Sequence, residues 1–195
     1  MDYKGDIFYI KQVLEGKTIA YTYLVDEHKD HAYNLAFRIC GNREEAEEIA
    51  QDAFIKAYKS LGNFKMRSSF ATWLYRIVYN SAISLIRTRK KVISLEDFPG
   101  NISDSISYSD SEAESKVEED YRNTLLNIAL QKISEEEKGL ISLYYFEEMT
   151  IDEISEVTGL NKSTIKVKLF RARQKMLEII QESENRNKIH YEKAR

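Results

Sequence analysis

A stretch of basic and aromatic residues without a single acid runs through residues 53–95 of an otherwise acid-rich chain. Its cations are Lys56, Lys59, Lys65, Arg67, Arg76, Arg87, Arg89, Lys90 and Lys91. Between them lie the rings of Phe54, Tyr58, Phe64, Phe70, Trp73, Tyr75 and Tyr79. Because cations neutralise phosphates and flat rings stack on unpaired bases, this combination is typical of single-strand binding. Taken alone, the run is equally typical of a solvated helix face.

A second acid-free run occupies residues 161–177 and carries Lys162, Lys166, Lys168, Arg171, Arg173 and Lys175. Just before it, the spacing of Thr150 and Glu153 predicts a capping box that opens a short helix. Gly159 then supplies a turn with positive φ. A short helix, a glycine turn and a basic helix form the helix-turn-helix pattern, which places its second helix in the major groove of duplex DNA. Two basic runs therefore suggest two contacts with one polyanion.

The net charge of −3 over 195 residues disfavours a nucleic-acid partner only as an average. By segment, residues 1–94 carry +4, residues 95–120 carry −8 and residues 121–195 carry +1. The acidic segment is rich in Ser and contains the only proline, Pro99. Such a composition is typical of a flexible linker. We therefore predict lobe one (1–94), an acidic linker (95–120), lobe two (121–182) and a polar tail (183–195).

Helical periodicity extends over both lobes and predicts an all-α fold of two small helical domains. In lobe one, Asn42 is placed as an N-cap and Glu45 to close a capping box, followed by an apolar stripe through residues 46–61 that includes Phe54. Ser68 or Ser69 is expected to cap the next helix. In lobe two, Ser134 and Glu137 predict another capping box.

Several classes of site and location are disfavoured. The single cysteine, Cys40, excludes an internal disulfide and fits a reducing cytosol. No apolar run approaches the roughly 20 residues of a membrane span, and the N-terminus lacks a secretory apolar stretch. His28, His31 and Cys40 lack the spacing of a zinc site. Without a nucleophile-elbow, phosphate-loop or zinc-hydrolase motif, we expect a cytoplasmic protein with no catalytic residues, cofactor, metal or small-molecule substrate.

Three segments resemble the extracytoplasmic-function (group IV) sigma factors of bacterial RNA polymerase, within the sigma-70 family. Residues 51–58 (QDAFIKAY) and 69–80 (SFATWLYRIVYN) resemble region 2 of that family, and residues 164–173 (TIKVKLFRAR) resemble region 4. With the linker between them, the resemblance covers about residues 10–180. The chain departs from the common pattern at Lys65-Met66-Arg67, where Gly and an acid are frequent, and at Val167, where Ser is frequent.

The resemblance implies roles for residues in both lobes. For docking on the β′ clamp of core polymerase it implies Gln51, Asp52, Phe54 and Tyr58. For recognising and melting the −10 element it implies Phe64, Lys65, Arg67, Ser69, Arg76, Tyr79, Asn80, Ser84 and Arg87. For reading the −35 element, the resemblance and the second acid-free run together indicate Lys162, Ser163, Thr164, Lys166, Lys168, Phe170, Arg171 and Arg173.

The resemblance also implies partners: core RNA polymerase through its β′ clamp and β flap, promoter DNA, and an anti-sigma factor. An alternative is a stand-alone helix-turn-helix regulator that binds duplex DNA without polymerase, and another is an adaptor whose helix-turn-helix binds protein. For two aromatic residues, packing in the core is an alternative to a contact with DNA. Trp73 is expected mainly in the core, and Phe64 is either a buried anchor or a contact to a base.

Overall fold

The computed structural model describes residues 3–93 and 114–193, with side-chain surroundings given for 5–89 and 122–185. Lobe one contains α1 (Tyr3–Leu14), a 3-10 turn (Thr18–Ala20), α2 (Tyr21–Cys40), α3 (Arg43–Ser60), a second 3-10 turn (Leu61–Asn63) and α4 (Phe70–Ile93). Lobe two contains α5 (Glu114–Lys132), α6 (Glu135–Ile141), a π-helical turn (Ser142–Phe146), α7 (Ile151–Thr158) and α8 (Lys162–Lys193). No strand occurs in these described ranges, and the all-α prediction is confirmed.

Two helix boundaries differ from the predicted segments. Helix α5 begins at Glu114, inside the segment predicted as a linker, and α8 continues to Lys193 through the predicted polar tail. Acidic residues at a helix start complement the helix dipole, and Glu and Lys are good helix formers, so polar segments of this composition can be helical. Most of the predicted linker falls in residues 94–113, outside the described residues.

Lobe one is built around α2, α3 and α4, which pack on one another, while α1 packs across α2. Gly41, with φ of +72°, ends α2, and the Asn42 side chain caps α3 by accepting a hydrogen bond from the Glu45 amide at 2.9 Å. The predicted capping box is incomplete because the Glu45 carboxylate pairs with Arg89 of α4 at 3.3 Å. The loop before α4 is thereby held by the packed helices α2, α3 and α4.

In lobe two, α6 and α7 begin at the predicted caps, and α7 ends at the predicted glycine. Ser134 with Glu137 and Thr150 with Glu153 both form complete capping boxes. Gly159 ends α7 in the left-handed conformation at φ of +73°, a backbone angle that other residues adopt only with strain. Helices α5, α6 and α7 all pack on α8. This arrangement fixes α7 and α8 as a helix-turn-helix.

The lobes are not separate bodies. Helix α7 packs on α4, α6 packs on α2, and the buried apolar side chains of both lobes form one continuous core. The sequence pattern gave no indication of this contact.

The three residues considered as metal ligands have different partners. His28 is buried and lies 3.1 Å from the Asp6 carboxylate of α1, whereas His31 Nδ1 lies 2.8 Å from Glu147 Oε2. The buried Cys40 thiol donates to the Asn42 carbonyl at 3.4 Å, and burial raises its pKa. Across the part of the chain with described side chains, no three His, Cys, Asp or Glu residues are grouped to hold a metal ion. Within that part, too, no helix is long and apolar enough to cross a bilayer.

Candidate polymerase and nucleic-acid interfaces

The predicted polymerase-binding residues on α3 separate into an exposed and a buried set. Gln51, Asp52 and Tyr58 are exposed, and Tyr58 makes an edge contact with Tyr21 at 5.0 Å between ring centroids. Phe54 is only 8% exposed, so the structure does not support it as a polymerase contact. It lies on the same helical stripe as the buried Ala53 and Ala57, which turns its ring into the core.

Ile55 was missed by the sequence analysis and belongs to the exposed α3 face. Its side chain is 51% exposed, and it lies four residues after Gln51 and three before Tyr58. Residues three or four apart share one face of a helix. An exposed apolar side chain between a carboxylate and a tyrosine ring is typical of a protein-binding surface. The i, i+4, i+7 spacing from Gln51 was the available signal.

The loop between α3 and α4 has a buried aromatic anchor and exposed cations. Phe64 is 9% exposed and packs on Trp73 and Phe70, with ring centroids 4.9 and 6.2 Å away. Lys65 and Arg67 are exposed on either side of Met66, whose φ is +54°. Of the two interpretations of Phe64, the structure therefore favours the buried anchor. The half-buried Trp73 ring belongs to the same aromatic cluster.

Ser69 has a structural task that limits its availability to a ligand. Its hydroxyl oxygen accepts a hydrogen bond from the Thr72 amide at 3.0 Å and lies 2.8 Å from the Thr72 hydroxyl. An N-cap of this kind satisfies one of the free amides at a helix start. Ser69 therefore fixes where α4 begins, as one of the two predicted caps.

One face of α4 presents the predicted −10 residues to solvent. Arg76, Asn80, Ser84 and Arg87 are all exposed, and their three- and four-residue spacing places them in a row along the helix. Tyr79 is the exception, because it is 5% exposed and lies against lobe two. Burial raises its pKa to about 12, with a contribution from the nearby Glu136 carboxylate. Of the predicted −10 residues on α4, the structure thus exposes four to solvent and buries Tyr79.

A shallow groove between α3 and α4 brings polymerase-binding and DNA-binding candidates together. Asp52 and Glu48 line its α3 wall, while Asn80 and Ser84 line its α4 wall. Lys56 bridges the groove by donating to the Ser81 hydroxyl at 3.2 Å. The two predicted functions of lobe one therefore meet at adjacent helix faces.

The start of α8 is organised by Asn161, whose side-chain oxygen accepts from the Thr164 amide at 2.8 Å and from the Ser163 hydroxyl at 2.7 Å. Ser155 donates to the Leu160 carbonyl at 2.6 Å and ties α7 to the turn. These local contacts hold the first turn of α8 at a fixed angle to α7. The helix is therefore preformed for insertion into a groove.

The predicted −35 residues on α8 mostly face solvent. Ser163, Lys166, Phe170 and Arg171 are exposed, and Val167, which the sequence analysis did not include, is 47% exposed among them. Half-buried Thr164 contributes to the first turn.

Three cations of the −35 set have partners within lobe two. Lys162 pairs with Asp152 at 2.8 Å, and Lys168 pairs with Glu136 at 2.9 Å. Arg173 donates to the Tyr145 hydroxyl at 3.1 Å. Lys168 is the clearest departure from the prediction because its side chain turns back toward α6.

Two stretches of the chain match known protein families. Residues 24–92 match the model of sigma-70 region 2, and residues 126–176 match the model of sigma-70 region 4. The chain is 35% identical over 171 residues to the ECF RNA polymerase sigma factor SigW of Bacillus subtilis, covering 85% of this chain and 91% of that protein. It is 32% identical over 149 residues to the sigma factor SigV of the same organism, covering 76% and 83%.

Two solved structures share the fold. The complex of CnrH with the cytosolic domain of CnrY matches with a TM-score of 0.63 at 20% identity, covering 91% of this chain and 97% of the matched one. The complex of the sigma factor RpoE with the anti-sigma factor NepR from Bartonella quintana matches with a TM-score of 0.66 at 22% identity, covering 83% and 96%.

Proposed function

The chain belongs to the extracytoplasmic-function sigma factors of the sigma-70 family, and on that premise we propose a division of labour between its two lobes. It is an alternative sigma factor that directs RNA polymerase to promoters. Lobe one docks on core polymerase and recognises the −10 element, and lobe two reads the −35 element. The observation that carries this proposal is the pair of exposed basic helix faces, on α4 and α8, beside an exposed α3 face that presents Asp52, Ile55 and Tyr58.

Docking on core polymerase uses the exposed α3 face: Gln51, Asp52, Ile55 and Tyr58. The mix of an apolar side chain, a tyrosine ring and one carboxylate suits a protein partner better than a phosphate backbone. We assign the β′ clamp to this face and the β flap to lobe two. Phe54 acts from beneath by packing the helix, and its part in docking is indirect.

Reading of the −35 element uses the preformed α8. Lys166 and Arg171 neutralise phosphates or donate to base edges, while the Ser163 hydroxyl lies at the first turn of the helix. Val167 and Phe170 add an apolar strip, for which the thymine methyl group is the matching feature in the major groove. Lys162, Lys168 and Arg173, held by partners inside lobe two, serve as flanking charge.

Melting of the −10 element uses capture of bases that have left the duplex. Unstacking costs a few kcal/mol per base, and an aromatic or pocket contact of about 1–3 kcal/mol per base offsets it. Lys65 and Arg67 in the loop, and Arg76, Asn80, Ser84 and Arg87 on α4, provide exposed cations and hydrogen-bonding groups for the separated strand. Phe64 and Ser69 position this loop, the first as its anchor and the second as the cap of α4.

The partners follow from the family and its relatives. Core RNA polymerase and promoter DNA are the working partners, in the cytoplasm where both are found. An anti-sigma factor is the proposed regulator, supported by a related fold that was solved with an anti-sigma factor bound. The acidic segment 95–120 connects the two DNA-binding lobes.

The test is transcription in vitro with purified core polymerase on genomic DNA of the host, followed by mapping of start sites. We expect a set of starts that require the added chain and share sequence at both −35 and −10. Replacing either element in a single cloned promoter should then reduce that transcript. The proposal is wrong if the chain adds no start site beyond those of core polymerase alone.

A further inference from the structure

Helix α1 contacts both ends of the loop between α3 and α4. This capture loop, residues 64–69, runs from the 3-10 turn Leu61–Asn63 to the start of α4, and α1 packs on that turn, on α4 and on α2. Ile10 of α1 is fully buried in the core. The match to sigma-70 region 2 begins at residue 24, so α1 lies before the matched segment. A helix outside that segment is therefore packed directly on the proposed −10 interface.

A buried carboxylate and an imidazole join α1 to α2. His28 Nε2 of α2 lies 3.1 Å from both carboxylate oxygens of Asp6 in α1, and these residues are 2% and 3% exposed. Because a carboxylate only accepts, Nε2 carries the proton in this hydrogen bond. A buried carboxylate is strongly unfavourable unless it is hydrogen-bonded or paired. The Asp6–His28 pair therefore permits one seat of α1 on α2.

The second ring nitrogen of His28 indicates that this pair does more than stabilise the core. His28 Nδ1 is buried and lacks a hydrogen-bond partner among the described residues. A buried polar atom without a partner lowers stability. Apolar side chains of similar volume are often as stabilising as a buried polar pair, or more so. The pair is therefore better explained by the position that it gives to α1 and to its neighbours.

The ring of His28 connects the pair to the aromatic cluster of the capture loop. Its centroid lies 5.3 Å from that of Phe70, the first residue of α4, which is 1% exposed. Phe70 in turn packs on Trp73 and on the loop anchor Phe64, at 5.9 and 6.2 Å between centroids. Because a protein interior is close-packed, displacing one ring shifts the rings that touch it. The position of Phe64 thus depends on the position of His28.

The capture loop has few restraints of its own. Its first amide, that of Phe64, donates to the Leu61 carbonyl at 3.0 Å, and Ser69 caps α4 at its other end. Residues 65–68 make no hydrogen bond within the described part of the chain. Met66 has a φ of +54°, a conformation that a non-glycine residue keeps only where its surroundings fix it. The anchors at the two ends therefore determine the shape of the loop.

We propose that Asp6 and His28 are positioning residues for promoter opening. They hold α1 against both ends of the capture loop and keep Phe64 in place, so that Lys65 and Arg67 meet an unpaired base of the −10 element in a fixed geometry. Asp6 and His28 are buried and do not touch DNA themselves. The proposal rests on the proposed function, because these residues serve its melting step.

The test follows the position of the loop and the capture of a base separately, in the full-length chain. Trp73 is the only tryptophan and lies 4.9 Å from Phe64 between ring centroids, so its fluorescence reports on the anchor. In Asp6→Ala and His28→Ala, we expect Trp73 emission to move to longer wavelength as water reaches the ring. Circular dichroism checks that these variants retain their helix content.

Base capture is measured with core polymerase and a single-stranded −10 oligonucleotide taken from a mapped promoter. Asp6→Ala and His28→Ala should each weaken this binding about tenfold, the loss expected when one contact to a base is lost. Affinity for core polymerase and for a −35 duplex should stay at the wild-type values. Asp6→Asn keeps an oxygen that accepts from His28 Nε2, so its binding should stay within about threefold of the wild type.

Two further variants separate positioning from a general loss of stability. Leu35→Ala opens a cavity on α2, seven residues or about 10 Å beyond His28 along the helix, and Leu35 is fully buried. It should lower the melting temperature at least as much as Asp6→Ala, yet leave Trp73 emission and oligonucleotide affinity unchanged. Phe70→Leu keeps the Asp6–His28 pair but removes the ring that contacts His28, so it should reproduce both defects even if the alanine variants fail to fold.

Three results would overturn the proposal. The first is wild-type emission and oligonucleotide affinity in Asp6→Ala and His28→Ala. The second is an equal loss of affinity in Leu35→Ala, which would reduce the pair to a contribution to stability. The third is wild-type behaviour of Phe70→Leu, which would break the connection from the pair to the loop.

Failure of this inference differs from failure of the proposed function. If the wild-type chain opens a promoter with core polymerase and the variants open it equally well, only the role of the Asp6–His28 pair is wrong. If the wild-type chain yields no promoter-specific transcript, the sigma-factor function itself is wrong, whatever the Trp73 spectra show.

Discussion

Helices α4 and α8 both carry predicted DNA-binding residues, but they present them differently. On α8, Lys166, Phe170 and Arg171 face solvent. On α4, Arg76 and Asn80 are exposed, whereas Tyr79 lies beneath lobe two. In the loop before α4, Phe64 is buried as well.

This difference matches the state of the DNA that each helix is proposed to meet. Duplex DNA has a fixed groove, so a rigid helix with its side chains already exposed can read it. A single strand exists only after base pairs have opened, and its bases are bound by stacking and by pockets. We therefore propose that the −35 interface on α8 is already exposed in the free chain, and that the −10 interface is completed only when the chain binds polymerase.

The largest expected effect concerns the −35 interface on α8, whose side chains are already exposed in the free chain. The double substitution Lys166→Ala and Arg171→Ala should reduce −35-dependent transcription about 100-fold, because each such contact is worth about 1–3 kcal/mol. Affinity for core polymerase should stay the same. Run-off transcription with titrated core measures both quantities. Lys132→Ala, an exposed lysine on α5, is the control and should leave transcription unchanged.

A smaller effect is expected at the exposed α3 face. Both DNA interfaces depend on this face, because it is proposed to hold the chain on core polymerase. Asp52→Ala should weaken core-polymerase affinity about tenfold, since an interaction with a charged group is typically worth about 1.5–3 kcal/mol. Fluorescence anisotropy of the labelled chain with core polymerase measures this affinity. Asp30→Ala on α2 provides the comparison. Unchanged affinity for Asp52→Ala would remove the α3 face from the docking site.

On the −10 side, Arg76→Ala should slow promoter melting about fivefold, because one cation to the separated strand is lost. A template with mismatches across the −10 region should restore transcription, since its strands are already apart. Arg43→Ala, an exposed arginine at the start of α3, is the matched control. A defect that persists on the mismatched template would place Arg76 in another step.

The smallest effect concerns sequence preference at the −35 element. Val167→Ala should weaken binding about threefold at a promoter with thymine opposite this side chain, because an apolar contact with the methyl group is lost. Replacing that thymine by uracil should reduce wild-type binding to the same extent and leave Val167→Ala unaffected. Leu177→Ala, an exposed apolar residue farther along α8, should bind both DNAs like wild type.

Lobe two could be predicted from sequence in most of its detail because its signals are local. Ser134, Thr150 and Gly159 act on residues at most five positions away, and each cap forms as predicted. In lobe one, helical periodicity placed Phe54 on the apolar stripe, whereas the family resemblance placed it at the polymerase surface. The structure agrees with the periodicity.

The contacts that sequence reasoning did not foresee join residues far apart along the chain or on different helices. Lys168 pairs with Glu136, 32 residues earlier, and Tyr79 meets Gly139 across the two lobes. Glu147 and Tyr75 are 72 residues apart and lie on opposite sides of the acidic segment. No helical period or capping rule connects such positions, so the lobe interface required the structure.

We expect this chain to give core polymerase the ability to recognise and open a promoter. Permanganate oxidation of unpaired thymines tests it directly, on a promoter identified by start-site mapping. We predict reactive thymines in the −10 region when the chain and core polymerase are both present, and none with either alone. Protection of the duplex by the chain alone, without reactive thymines in any mixture, would instead indicate a regulator that binds duplex DNA and does not open a promoter.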